Sequence, residues 1–447
     1  MPEDTDIPKT NFSERIDAIL AKDEGAFGRF LLISLSAILL RLLIMPFCGH
    51  IDFFSEYRRI AYLHESGTML FGARFITTII ETINYTIVSP LLSEKSSMFL
   101  MHDLTKSTAS HLQFFGFVEH HAIYRTFLLL KLPYLLFDVA AGFVFYSLFE
   151  DKKTSIRAAL IWFFNPVTIF AFYIFSRYES IPLFFVISAL WALKRNRIII
   201  SSVLLGCAIW SREVNILLLP FYFVYLIRCQ QTSIVSKIAA TIILLTLSAF
   251  AANLLPIVLN LDDPFLAEGP ESLASFDQSL GLIGFNMVWY YPIITICAML
   301  AFWLLTVENL SHRHLYAAYG LFYCVFFIMV IHSVHYVCWS MVLFTIFAAQ
   351  SKKILQALIF FCISWFVFWL VASDLGVFTH WLFTPGSLYF TNLPVFPEIV
   401  NQYLIDSRSA FNMHHVVYAF RSLYAAGFVY LAILIFNKKD KELSWES

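Results

Sequence analysis

Apolar residues run along this chain in blocks near 20 long, separated by short polar or basic connections. A helix needs about 20 such residues to cross about 30 Å of hydrocarbon. The blocks predict spans at roughly 27–48, 122–149, 155–176, 177–193, 198–211, 213–228, 235–259, 286–306, 314–331, 334–349, 354–372 and 414–436. The expected fold is all-α, a polytopic integral membrane protein of about 12 transmembrane helices. Alternating strand patterns of the outer-membrane barrel kind are missing from the sequence. Spans between about 177 and 228 are short, which suits tilted or broken helices lining a cavity.

Basic residues fall on alternate connections: Lys152, Lys153 and Arg157; Lys194, Arg195 and Arg197; Arg228 and Lys237; Arg313; Lys352 and Lys353; Lys438, Lys439 and Lys441. The loop from Asp262 to Asp277 is acidic and has neither Lys nor Arg. Positive-inside bias then puts both termini in the cytoplasm, with 1–26 and 437–447 as terminal segments flanking one domain, 27–436. Residues 49–121 and 373–413 become exoplasmic caps, the first holding interfacial amphipathic helices such as 71–92. A prokaryotic inner membrane fits the short loops; an endoplasmic reticulum membrane is the alternative.

Composition sharpens the class. Of 447 residues, 59% are hydrophobic and 14% charged, against about 25% charged in soluble domains. The net charge of −1 offers no basic field for nucleic acid. Seven cysteines are scattered without a CxxC pair, reading as small membrane-buried hydrophobes.

Ionisable residues in or beside spans carry the chemical candidates, because they are costly there. Asp52 follows the first span in His50-Ile51-Asp52-Phe53, with Glu56 and Arg59 on the same helical face. It is either a helix N-cap beside an ordinary Glu56–Arg59 surface pair, or a base at a cavity mouth. His50 has a surface position as its plain alternative. Asp138 lies two turns into the second span, bonded to a neighbouring Asn or Tyr or else functional. Arg177-Tyr178-Glu179 and Arg212-Glu213 sit at two outer junctions. These are local ion pairs, or two guanidiniums suited to a phosphate. His332, His335, Tyr336 and Trp339 recur at i, i+3, i+4 and i+7. They fit a wall for sugar and phosphate, or an interface anchor. Two His could also hold a metal, but no third ligand is placed, so no metal or other cofactor is expected.

In their order, these motifs resemble those of the GT-C superfamily of membrane glycosyltransferases, and within it the glycosylphosphatidylinositol mannosyltransferases and their prokaryotic relatives. The likeness rests on His50-Ile51-Asp52-Phe53 through Arg58, Arg59 and Gly67, for an Asp-x-Asp motif and a following amphipathic helix ending at Gly. It continues with Tyr85 and Pro90-Leu91-Leu92, Lys131 and Asp138, Asn165-Pro166 with Arg177-Tyr178-Glu179-Ser180, and His335-Tyr336-Val337-Cys338-Trp339. It spans roughly residues 30–350, and His50 replaces the first acid of the pair. The resemblance implies a polyprenyl-phosphate sugar donor, a mannose-like hexose, and a lipid, glycan or protein acceptor. It implies Asp52 as the general base of an inverting displacement, with Arg177, Glu179, Arg212, His332, His335, Tyr336 and Trp339 around the donor. A lipid-linked sugar flippase or transporter, or a membrane subunit without activity, are the competing classes. Large outer caps and polar residues gathered on one face favour transfer over alternating access.

Overall fold

The computed structural model describes residues 25–67, 75–92, 111–228, 233–249, 290–329, 334–372, 376, 379–403 and 413–436. Among these the structure is helical throughout, with no strand. The expected 262–277 loop, His332, residues 1–24 and the 437–447 segment lie outside the described residues.

The first apolar block forms α1 (Ala26–Ile44), and the cap follows with α2 (Ile51–Ser66), α3 (Phe75–Val88) and α4 (His111–Val118). The second block is broken, with α5 (Ile123–Leu130) meeting α6 (Leu132–Leu148) at 41°. The third is broken in the same way between α7 (Lys152–Phe163) and α8 (Pro166–Ile169), which runs into a π-turn at 170–174. Then come α9 (Ser180–Lys194), α10 (Ile198–Ser211), α11 (Leu219–Arg228) and α12 (Ile234–Ala249). The chain closes with α13 (Tyr290–Thr306), α14 (His312–Met329), α15 (Cys338–Gln350), α16 (Lys352–Ala372), α17 (Phe396–Tyr403) and α18 (Met413–Phe436). By length and composition three of the described helices, α1, α16 and part of α18, can cross a membrane, or five spans if each bent pair counts as one. Six further apolar helical stretches among the described residues are 10–17 residues long. The short 177–228 segments therefore form as anticipated, and two of the longer blocks are kinked rather than straight.

Each break is chemically satisfied. Freed carbonyls in an apolar setting need donors from elsewhere. Asn84 Nδ2 donates to the Leu129 carbonyl at 3.1 Å, and the Tyr57 hydroxyl donates to Leu130. Those donors come from α3 and α2, so the kink in the second block docks the cap. At the other break Asn165 caps α8, accepting from the Val167 N–H at 2.9 Å, with Pro166 at the first helical position where no N–H is needed.

The core has two parts. A continuous apolar core joins α6, α7, α9, α10, α14, α15 and α16. A smaller cluster joins Phe53, Phe54, Tyr57, Tyr85 and Phe117 of the cap to Phe127 of α5 and to Tyr134, Tyr178 and Ile181. Helix α3 is polar inside and apolar outside: Thr77, Thr78 and Glu81 are buried while Ile79, Ile83 and Ile87 are exposed. The helix thus carries an apolar outer face over a polar inner one; residues 71–74 of the stretch 71–92 lie outside the described residues.

Asp138 is tied into the bundle rather than into a site. Arg41 of α1 meets its carboxylate at 2.5 Å, the Tyr173 hydroxyl donates to the same oxygen at 2.7 Å, and Trp162 donates to its carbonyl at 3.2 Å. Both charges are fully buried. The partner is an arginine and a tyrosine, where the sequence suggested Asn or Tyr. Removing one member strands the other. Arg41→Met is expected to destabilise the protein by about 3–5 kcal/mol, read as a lowered unfolding midpoint in detergent, with Arg41→Met/Asp138→Leu recovering much of the loss.

Candidate functional site

Residues 48–52 pass from the end of α1 into α2. Gly49 is required here, because a Cβ would stand 2.5 Å from the Phe127 ring. Its N–H donates to the Leu382 carbonyl at 2.8 Å, fastening this strap to the 379–403 segment. The N-cap of α2 is His50, whose Nδ1 accepts from the Asp52 N–H at 3.1 Å. Asp52 is therefore not the cap, and its carboxylate is left for other partners. At the far end α2 stops at Gly67, whose φ of 70° is the left-handed turn that glycine adopts without strain.

Arg177 comes from the turn after the π-helical residues. Ser176 holds a φ of 65°, uncommon for a residue with a side chain, and its hydroxyl donates to the Tyr173 carbonyl at 3.1 Å. That turn aims the guanidinium at Asp52: Arg177 Nη1 lies 3.4 Å from Oδ2. His50 Nδ1 lies 3.5 Å from the same oxygen. Since Nδ1 accepts the Asp52 N–H, the ring proton belongs on Nε2, and Arg177 is the counter-charge.

Burial of the carboxyl works against its ionisation, but His50, Arg177 and more distantly His335 outweigh it. Asp52 is held well below the usual carboxylate range. Of the two nearest neighbours we assign the effect to Arg177, reinforced by the N-terminus of α2, whose dipole favours an anion. Solvent reaches 44% of the Asp52 side chain. The carboxylate is therefore half-exposed while the Arg177 guanidinium it faces is buried.

Behind Arg177 stands a second layer. Tyr178 is buried, and its hydroxyl oxygen accepts from Arg212 Nη1 at 2.7 Å and from Arg177 Nη2 at 3.4 Å. One phenol thus joins the two guanidiniums. Glu179 is fully buried, with Oε1 3.6 Å from Arg212 Nε and Oε2 accepting from Trp339 Nε1 at 2.8 Å. The Arg212 guanidinium also lies over the Tyr336 ring at 5.0 Å and the Trp339 ring at 5.5 Å. Rings form a continuous column: His50 on Phe175 at 4.0 Å, Phe175 on His335 at 4.2 Å, His335 to Tyr336 at 4.1 Å, and Tyr336 on Trp339 at 4.7 Å.

The structure therefore gathers Asp52, His50, Arg177, Glu179, Arg212, His335, Tyr336 and Trp339 in one place. Their shared helical face is replaced by a 3-10 turn at Val334–Val337 leading into α15. Glu56 pairs with Arg59 at 3.4 Å, the ordinary alternative for those two, while also lying within electrostatic range of Arg177. Asp138 lies apart, in the bundle. His332 lies outside the described residues. Among the described residues no three His, Cys, Asp or Glu side chains converge as a metal's ligands. The sequence reading passed over Tyr178, though it stands between two residues already singled out. No protein-family model matches this chain, and no curated protein matches it.

A depressed Asp52 contributes stability above its unfolded value, about 3.9, and that contribution is lost only as pH falls through the lower folded value. At pH 4 its carboxylate infrared band, isolated by subtraction of Asp52→Asn, is expected to remain that of the anion. In Arg177→Gln the same band is expected to titrate near the ordinary range.

Proposed function

We propose that this protein is a polytopic membrane glycosyltransferase of GT-C type, about twelve spans with both termini cytoplasmic. It would move a mannose-like hexose from a polyprenyl-phosphate donor to a lipid, glycan or protein acceptor. The work would be done at the exoplasmic face of a prokaryotic inner membrane or the endoplasmic reticulum. One observation carries the reading: a solvent-reached aspartate faces a buried arginine that is backed by a second arginine through a shared phenol.

A base and a phosphate site side by side suit a single displacement. The acceptor oxygen attacks the anomeric carbon, its proton passes to Asp52, and the sugar–phosphate oxygen bond breaks with its electron pair going to the phosphate. A displacement of this kind inverts the anomeric centre. The leaving phosphate gains negative charge in the transition state, and guanidiniums fixed beforehand stabilise such charge without reorganising. Arg177 and Arg212 would supply this, the latter held in line by Glu179 and Trp339.

The resting pairing has a chemical consequence. A carboxylate bound to Arg177 is a weak base, so Arg177 must turn from Asp52 toward the donor phosphate for proton transfer to proceed. Asp52 then returns toward the basicity that the step needs. Glu179 serves this scheme by orienting Arg212, since both its oxygens face donors of the protein.

Purified protein given radiolabelled polyprenyl-phosphate mannose tests the reading. Transfer is expected, and Asp52→Asn is expected to lower turnover by about 10²–10⁴ while the protein stays folded at the assay temperature. Arg177→Ala and Arg212→Ala are expected to weaken donor use. Movement of the intact lipid across a vesicle without transfer would instead establish the flippase.

A further inference from the structure

Lys131 stands at the break between α5 and α6, fully buried. Its ammonium donates to the Met45 carbonyl at 2.8 Å, to the Tyr173 carbonyl at 3.2 Å and to the Cys48 carbonyl. The rings of Phe127 and Phe53 lie 4.7 Å and 5.5 Å from Nζ. Among the described residues it forms no salt bridge with a carboxylate, although burying an unpaired ammonium is costly.

The carbonyls explain what compensates it. Met45 is the C-cap of α1, and Tyr173 belongs to the last turn of the π-helical segment 170–174. Unsatisfied carbonyls at helix C-termini carry the negative end of the helix dipole and attract a cation. Lys131 is thus the shared counter-ion of two helix ends. Both ends run on into the site. The first leads through Cys48 and Gly49 to His50 and Asp52, and the second through Ser176 to Arg177. Ser176 repeats the link on a smaller scale, its hydroxyl reaching both the Tyr173 and the Cys48 carbonyls, at 3.1 Å and 3.5 Å.

We infer that Lys131 is a positioning residue of the site: its ammonium ties the segment carrying Asp52 to the turn carrying Arg177 and so sets the separation between base and guanidinium. An aliphatic residue of similar length would fill the same space, take from the Met45 carbonyl its donor, and leave the Tyr173 and Cys48 carbonyls to share the single Ser176 hydroxyl. The two segments would then part, and Asp52 would move off Arg177. Arg177 itself would keep its chain neighbour Tyr178 and, through that phenol, Arg212 at the end of α10, so binding of a lipid phosphate would survive. The catalytic part of this inference rests on the proposed glycosyl transfer; the tie itself does not.

Cys48 gives a native reporter, because it is buried and unpaired in the tied segment. In Lys131→Met, alkylation of Cys48 by N-ethylmaleimide, read by peptide mass spectrometry in detergent, is expected to accelerate at least tenfold. Turnover with polyprenyl-phosphate mannose is expected to fall at least tenfold, while the donor KM stays within threefold. Lys131→Gln keeps two N–H donors without the charge and is expected to fall between; it is the variant to use if Lys131→Met does not fold. Unchanged Cys48 labelling overturns the tie, whatever happens to turnover. Faster labelling with undiminished turnover overturns the positioning role. If the wild-type protein transfers no sugar, the enzymatic reading fails while the labelling still tests the tie.

Discussion

The contact between Asp52 and Arg177 is the interaction on which the candidate site of this protein is organised. It joins the start of the cap to the turn between two bundle segments, and it is the point where solvent meets buried charge. Neither side chain would hold its place alone. The aspartate depends on His50 capping α2 and leaving the carboxylate unengaged. The arginine depends on a strained turn at Ser176 and on the phenol of Tyr178.

Charge in an apolar matrix obeys one rule. Among the described residues three buried ions are answered by another charge or by a set of oriented dipoles, since the uncompensated state is far more costly than the paired one. Arg41 answers Asp138 in the bundle, and Arg212 answers Glu179 beside the site. Lys131 is answered by helix-end carbonyls. The first two pairs bind sequence-distant helices together. The third gathers two chain segments that each carry a residue of the site.

The helical character of the chain was legible in its apolar blocks, because such a block has few alternatives when its backbone must satisfy itself. The likeness to a helix ending at glycine also matched the end of α2, where Gly67 supplies a left-handed turn, whereas the break at Asn165-Pro166 falls inside what the apolar pattern presents as one span, 155–176. The kinks were less legible. A break at Lys131 is stable only because Asn84 and Tyr57, donors from α3 and α2, reach carbonyls that the kink exposes. No local pattern announces that.

The amino-acid sequence by itself determined the helical, apolar character of the chain and named most of the polar residues that meet around Asp52 and Arg177. Hydrophobic periodicity and the rarity of charge are local properties, so they can be read along the chain. Only the tertiary structure decided that His50 and not Asp52 caps α2, that Glu179 serves Arg212 and Trp339, and that Tyr178 links two arginines. Those outcomes depend on distances between segments far apart in sequence, where hydrogen-bond direction and burial select one partner among several chemically equivalent ones.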